Sequence, residues 1–318
     1  MSSKYRIAVL GVGGVGGYLG GKLAGHYATS SDIEIAFIAR GEHGRTIASH
    51  GLTLITPEGK HIVHPSVVTD NPKPLGSVDL LLCCVKSYDL EKSIFSIQSC
   101  VSSSTIILPI LNGVDTTERM RKILPEAGIW EGCIYIISRL VSPGTIKQQG
   151  TINKLLFGSG NATKEELAFV NKILTSAGIN AYIPDNITRT IWEKFFFISV
   201  IATLTSYFDS PIGSITGNPE RKRLIIELLT ELHSVAIANS IPLAENIVET
   251  MLEKILALPY ETTSSMHDDF KRGGKTEADT LTGYVVKLGE KLNIATPAYK
   301  RILAVLKGKI SQESRRFS

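Results

Sequence analysis

Six residues near the start of the chain constrain its fold more than any other feature. Gly11-Val12-Gly13-Gly14-Val15-Gly16 matches GxGxxG, directly after the β-rich run Tyr5–Leu10 and directly before a small-residue stretch with a helical pattern. The spacing alone is a weak signal, since a glycine-rich turn with no ligand satisfies it equally. Between a strand and a helix it has a physical purpose. Gly11 allows the tight turn, Gly13 lets the backbone approach a pyrophosphate, and Gly16 lets the helix pack closely on the strand. The helix N-terminus then offers N–H donors and positive potential to the anion.

The rest of the first half suits that start. Apolar runs at 33–39 (IEIAFIA), 52–55, 78–85 (VDLLLCCV) and 105–111 (TIILPIL) alternate with helical segments. Near-continuous apolar runs are what a parallel sheet buried on both faces requires. Pro109 within the last run predicts an edge strand or a bulge there. Residues 132–158 change character and predict antiparallel strands around the turn Ser142-Pro143-Gly144. A helix is expected over 163–175 with Thr163 as N-cap and Gly178 beyond its end, then one short strand over 181–183. After Pro184 nothing reads as a strand. Residues 187–208, 221–239, 244–258, 276–292 and 297–310 read as helices. In the second of these, Leu224, Ile225, Leu228, Leu229, Leu232 and Val235 recur at three- and four-residue steps. The expectation is an α/β nucleotide-binding domain over residues 1–184 and an all-helical domain over 185–318, with a frayed tail from Ser311.

Composition narrows the function. A length of 318 residues suits two domains. Lys plus Arg number 34 against 30 Asp plus Glu, a net charge of +4 too small and too scattered for a nucleic-acid footprint. No run is expected to span a bilayer, because Ser199, Thr203 and Thr205 interrupt the most apolar one. The opening MSSKYRIAVLG lacks the apolar core of an export signal. Cys83, Cys84, Cys100 and Cys133 show no CxxC spacing and read as reduced core residues of a cytoplasmic protein. The seven histidines form no HExxH or Cys/His cluster, so no metal site is expected, and the absence of GxSxG weighs against a hydrolase elbow.

Several polar residues stand out in this pattern. The run at 33–39 ends in Arg40, where an acidic residue would favour NAD. An arginine there pairs with a 2′-phosphate and favours NADP, unless it is simply a solvated loop cation; Glu34 lies at the wrong end of the run to take the acidic role. Lys86 and Asn112 follow apparent strand ends, where open parallel sheets bind ligands, although a surface lysine and an Asn-Gly turn are equally ordinary. Lys194 lies among Trp192, Phe195, Phe196, Phe197 and Ile198. It either snorkels to solvent or sits in a dry cleft, where it can act on a substrate carbonyl. Ser265 either caps a helix start or binds a substrate carboxylate, and Glu277 either begins the next helix or accepts a hydrogen bond from substrate or holds Lys194; spacing does not separate these roles.

Taken together, GVGGVG, CVKS, LNG, the PGTI hairpin with FGSG, WEKF and TTSSM…GGKTEAD resemble the ketopantoate reductase (2-dehydropantoate 2-reductase) family along essentially the whole chain. The resemblance implies a Rossmann-type domain joined to a helical domain like that of 6-phosphogluconate dehydrogenase. It also implies NADPH-dependent reduction of ketopantoate to pantoate, on the route to pantothenate and coenzyme A. By position, residues 11–16 would hold the pyrophosphate and Arg40 the 2′-phosphate. Lys86 and Asn112 would border nicotinamide and substrate, Lys194 would be the catalytic lysine, Ser265 a substrate contact and Glu277 the supporting carboxylate. One departure stands out: family members carry asparagines four and eight residues after the lysine, where this chain has Ile198 and Ala202. Either Ser199 or Thr203 binds the substrate hydroxyl instead, or the substrate is a different, more apolar 2-oxo acid or a 3-hydroxy acid. A dinucleotide-binding sensor without catalysis is a further alternative, against which Lys194 and Glu277 argue. Assembly is open, a homodimer included, because faces that pack internally and across subunits look alike.

Overall fold

The structure, a computed structural model, describes residues 4–316. It comprises two compact units, Met1–Leu111 with Asp115–Ile187 and Asn112–Val114 with Thr188–Ser318. The division falls within the first turn of a helix, and residues 112–114 group with the helical unit although sequence places them in the α/β half.

In the first unit the chain runs β1 (Tyr5–Leu10), α1 (Gly14–His26), β2 (Ile33–Ile38), α2 (Gly41–His50), β3 (Leu52–Thr56), β4 (Gly59–Val63), β5 (Val67–Thr69), β6 (Leu80–Cys83), α3 (Leu90–Ser96), β7 (Ile106–Pro109), α4 (Thr116–Arg121) and β8 (Gly128–Ile129). It continues through β9 (Glu131–Ser142), β10 (Thr145–Gly158), α5 (Lys164–Ser176) and β11 (Asn180–Tyr182). The main sheet has the order β5-β2-β1-β6-β7-β8, with every pairing parallel. Its side chains divide by parity. Ile7, Val9, Ile35, Phe37, Leu80 and Leu82 enter one apolar cluster, and Ala8, Leu10, Ala36, Ile38, Leu81 and Cys83 enter another. Both faces are therefore covered, which is why the strands read as unbroken apolar runs.

The strand order reverses between β1 and β6, and their carboxyl ends are where such sheets bind ligands. Pro109 departs from expectation. It ends β7 opposite Cys83 inside the sheet, neither on an edge nor in a bulge; β8 pairs with Ile106 and Ile107, and the Ile110 N–H donates to the Cys83 carbonyl at 2.8 Å. A proline at a strand's last residue leaves few ladder bonds to lose.

A second sheet was only half legible. β9 and β10 form the expected antiparallel hairpin, its turn made by Gly144 at φ +75°. β3 leaves the main sheet and pairs with β10 and with β4, and β11 lies along the other part of β10. Thr163 caps α5 as expected, in a full capping box with Glu166.

The second unit follows α6 (Ile187–Phe208), α7 (Ile212–Thr216), α8 (Pro219–Ala238), α9 (Ile247–Leu256) and α10 (Ser265–Lys271). A π-helical turn at Asp279–Gly283 leads into α11 (Tyr284–Leu292), and α12 (Pro297–Arg316) closes the unit. The short helix α7 carries too little periodicity to have been foreseen, and α10 is signalled in the sequence only by Ser265 as a possible helix start. Residues 311–316, expected to fray, continue α12, and the end of the tail lies outside the described residues. The bilayer expectation also needs correction: α6, at 22 residues, is long and apolar enough to cross a membrane by length and composition. Here 67% of its most apolar window is buried, and it contributes Trp192, Phe195, Phe196, Val200 and Leu204 to the core. A helix apolar on all sides is a core helix when its neighbours cover it.

Candidate active site

The glycine turn behaves as its spacing predicts. Gly11 adopts φ +87°, a left-handed conformation open to glycine, and a Cβ there would meet Val85 Cγ1 at 2.8 Å. At Gly16 a Cβ would lie 2.1 Å from the Gly11 carbonyl oxygen and 2.9 Å from Cys84 Cβ, so α1 packs directly on the turn and on the end of β6. Gly13 differs, because a Cβ there would meet nothing within 4 Å. It is also the N-cap of α1 and supplies no side-chain cap. The first N–H groups of a helix lack partners within it, so an uncapped N-terminus beside open space fits a pyrophosphate. The residues present thus fit a dinucleotide. Val12 is buried, and Val15 and Gly14 are half-buried in the same turn.

Two of the other expected residues follow strands that flank β1. Lys86 follows Val85, the residue packed on Gly11, and is half-buried at the start of a short 3-10 turn, Ser87–Asp89. Arg40 is exposed at the N-cap of α2, one residue before Gly41. Glu34, near the start of β2, forms an ion pair with Arg6. Burial pushes the Cys83 thiol up to about 12 and raises that of Cys84, so both remain protonated packing groups.

The helical unit holds a second constellation. Lys194 on α6 is 7% exposed and Glu277 is 2% exposed. Asn112 joins them: Lys194 Nζ donates to Asn112 Oδ1 at 3.2 Å, and Asn112 Nδ2 donates to Glu277 Oε2 at 3.4 Å. An ammonium and a carboxylate this far from water persist only with such partners. Of the two roles open to Lys194, snorkelling is excluded by its burial. Glu277 also begins the next helix with its backbone, accepting from the N–H groups of Thr280 and Leu281; both roles offered for it by sequence are compatible.

Two expectations fail here. Ser265 does not cap α10. Ser264 does, its hydroxyl accepting from the His267 N–H at 3.1 Å, while Ser265 is the exposed first helical residue. Ser199 and Thr203 are wholly buried and bound internally. The Ser199 hydroxyl donates to the Leu281 carbonyl at 2.6 Å and meets Tyr299 Oη at 2.9 Å, and Thr203 meets Thr282 Oγ1 at 2.7 Å. Leu281 and Thr282 lie in the π turn just after Glu277. These hydroxyls therefore lace α6, which carries Lys194, to the turn that follows Glu277, and are engaged within the protein. Sequence could not show this, because a hydroxyl on an apolar helix looks the same whether it bonds a ligand or a neighbouring element.

The sequence also matches known proteins. The family model described as ketopantoate reductase PanE/ApbA matches residues 7–162, and its C-terminal counterpart matches residues 186–310. The 2-dehydropantoate 2-reductase of Halobacterium salinarum is 25% identical over 300 residues, covering 93% of this chain and 96% of its own. A crystal structure of 2-dehydropantoate 2-reductase from Porphyromonas gingivalis W83 is 38% identical, with TM-score 0.83 and coverage of 96% of this chain and 99% of that one. The fold is shared as well by a D-mandelate dehydrogenase solved with NADH and anilino(oxo)acetate, at 22% identity, TM-score 0.86 and coverage of 97% and 99%. With both halves matched and the lysine cluster in place, the chain belongs to the ketopantoate reductase family of dinucleotide-dependent oxidoreductases.

Proposed function

We propose that this protein reduces the carbonyl of a 2-oxo acid with NADPH, with ketopantoate as the first substrate to test. The observation that carries the reading is the Lys194–Asn112–Glu277 cluster, whose ammonium and carboxylate are buried. A bound dinucleotide would supply the hydride to the carbonyl carbon. Lys194 then donates to the carbonyl oxygen, stabilises the charge that develops there and delivers the proton that completes the alcohol. Asn112 orients the ammonium, and Glu277 balances its charge in a medium that screens little. Residues 11–16 would hold the pyrophosphate, Arg40 the 2′-phosphate, Lys86 and Asn112 the nicotinamide side, and Ser265 the substrate carboxylate. The choice of NADPH over NADH rests on Arg40 in place of an acidic residue. Pantoate production would place the chain on the route to pantothenate in the cytoplasm.

A second reading concerns the substrate and is favoured by a specific observation. Ile198 and Ala202 stand one and two turns beyond Lys194, and the adjacent hydroxyls of Ser199 and Thr203 are engaged with the π turn. A substrate hydroxyl left without a partner there costs about 1–3 kcal/mol. The alternative is a more apolar 2-oxo acid, a class that the mandelate dehydrogenase fold neighbour keeps in view. NADPH oxidation across a panel of 2-oxo acids decides. A clear preference for ketopantoate supports the first reading, preference for aromatic or branched apolar 2-oxo acids supports the second, and no oxidation with any of them refutes both.

A further inference from the structure

The glycine turn is held by a residue outside its motif. His43, on the first turn of α2, is half-buried and engaged at both ring nitrogens. Its Nε2 lies 2.7 Å from the Val12 carbonyl oxygen, and its Nδ1 accepts the Gly144 N–H at 2.9 Å. A backbone N–H donates, so Nδ1 carries no proton, and the Nε2–H donates to Val12. Only the neutral ring with its proton on Nε2 satisfies both partners.

That bridge connects two backbones that must adopt unusual conformations. Gly144 is the φ +75° residue of the β9–β10 turn, and a Cβ there would lie 2.6 Å from Thr46 Cγ2 on α2. Ser138 on β9 adds a second tie, its hydroxyl donating to the Gly14 carbonyl at 2.8 Å. In a planar trans peptide the C=O and the next residue's N–H point in opposite directions. A Val12 carbonyl drawn to His43 therefore turns the Gly13 N–H the other way, at the one glycine of the motif that opens on empty space.

Resting on the proposed dinucleotide reading, we propose that His43 is a positioning residue for the cofactor. It clamps the Val12–Gly13 peptide to the hairpin turn and so presets the turn to receive the pyrophosphate. Protonation of Nδ1 would set an N–H against the Gly144 N–H and open the clamp. Burial lowers the His43 pKa below its ordinary 6.5, against a smaller rise from the Val12 bond, so the clamp is intact at neutral pH and opens in acid. The acidic, basic and histidine residues on the elements packed about the ring are Arg40 at the N-cap of α2, Glu42, Arg45 and His50 on α2, and Glu131, Arg139, Lys147 and Lys154 on the hairpin strands, and residues 11–16 carry none. Substitution of His43 retains all of them, so their titration cancels in the difference between variant and wild type.

The test is calorimetric binding of NADP+, which survives acid, to the full chain and two variants. His43→Leu is expected to weaken binding about five- to tenfold at pH 8. His43→Gln retains an amide donor for Val12 and is expected to stay within about threefold. The 2′-phosphate titrates in all three proteins, so the signature is the difference between them: on titration from pH 8 to about pH 4.5, well below the ordinary histidine range, wild type should lose additional affinity that neither variant loses. Should His43→Leu fail to fold, the pH profile of His43→Gln decides alone. Equal affinity of His43→Leu and wild type, or parallel pH profiles for wild type and variants, would overturn the clamp and leave the dinucleotide reading standing. Wild type that binds no dinucleotide at all would overturn both.

Discussion

At the glycine turn the polar groups on offer are backbone N–H groups, and side chains are kept away; at Lys194 the polar groups are side chains, and the backbone only spaces them. The difference decides what each site tolerates. The turn depends on the absence of atoms, on φ +87° at Gly11 and on a 2.1 Å approach at Gly16 that no Cβ survives. The lysine cluster depends on the presence of three particular functional groups, a buried ammonium and a buried carboxylate joined by a half-buried amide. Substitution in the first region should act on folding and binding, and in the second on turnover.

The strongest challenge to that contrast is Lys194→Ala. It should lower kcat roughly 100- to 10,000-fold, the range typical of a lost general acid, with NADPH affinity nearly unchanged; steady-state kinetics beside direct binding would show whether the side-chain site is catalytic. Next in size is a pair of glycine variants. Gly16→Ala should destabilise the protein by about 3 kcal/mol, because backbone must move. Gly13→Ala should alter stability by under about 1 kcal/mol while weakening dinucleotide binding about tenfold, measured by urea unfolding and calorimetry. If both lose stability equally, the open space at Gly13 has no ligand role. Arg40→Ala should then raise the Kd for NADPH about tenfold and leave NADH little changed, erasing the preference between them; an equal effect on both would make Arg40 a solvated cation. The smallest effect is expected at Ser199→Ala, which removes the hydroxyl that bonds the Leu281 carbonyl and the buried Tyr299 Oη and should cost about 1–3 kcal/mol in stability. A fall in kcat alongside it would show that the lacing of α6 to the π turn sets the register of Lys194 and Glu277.

Residues 11–16 could be recognised before any coordinates because their information is local: strand, turn and helix are contiguous, and each glycine answers a steric demand within reach of its neighbours. The same holds for the parallel strands, whose two buried faces leave a continuous apolar signature, and for Thr163 with Glu166, a cap closed within one turn. Ser264 is instructive in the other direction. Two adjacent serines offer the same chemistry, and only the backbone conformation selects Ser264 (φ −114°, ψ 158°) as the cap and leaves Ser265 exposed.

The chain's own order of residues determined the nucleotide-binding turn, the alternation of strands and helices ahead of Pro184 and the helices after it, because periodicity and glycine spacing act over a few residues. Tertiary structure alone decided that Asn112 joins Lys194 to Glu277 across 82 and 165 positions, that Ser199 and Thr203 serve the π turn, and that His43 reaches both Val12 and Gly144. Hydrogen bonds of that kind depend on where distant segments are brought in space, and no local pattern carries that distance.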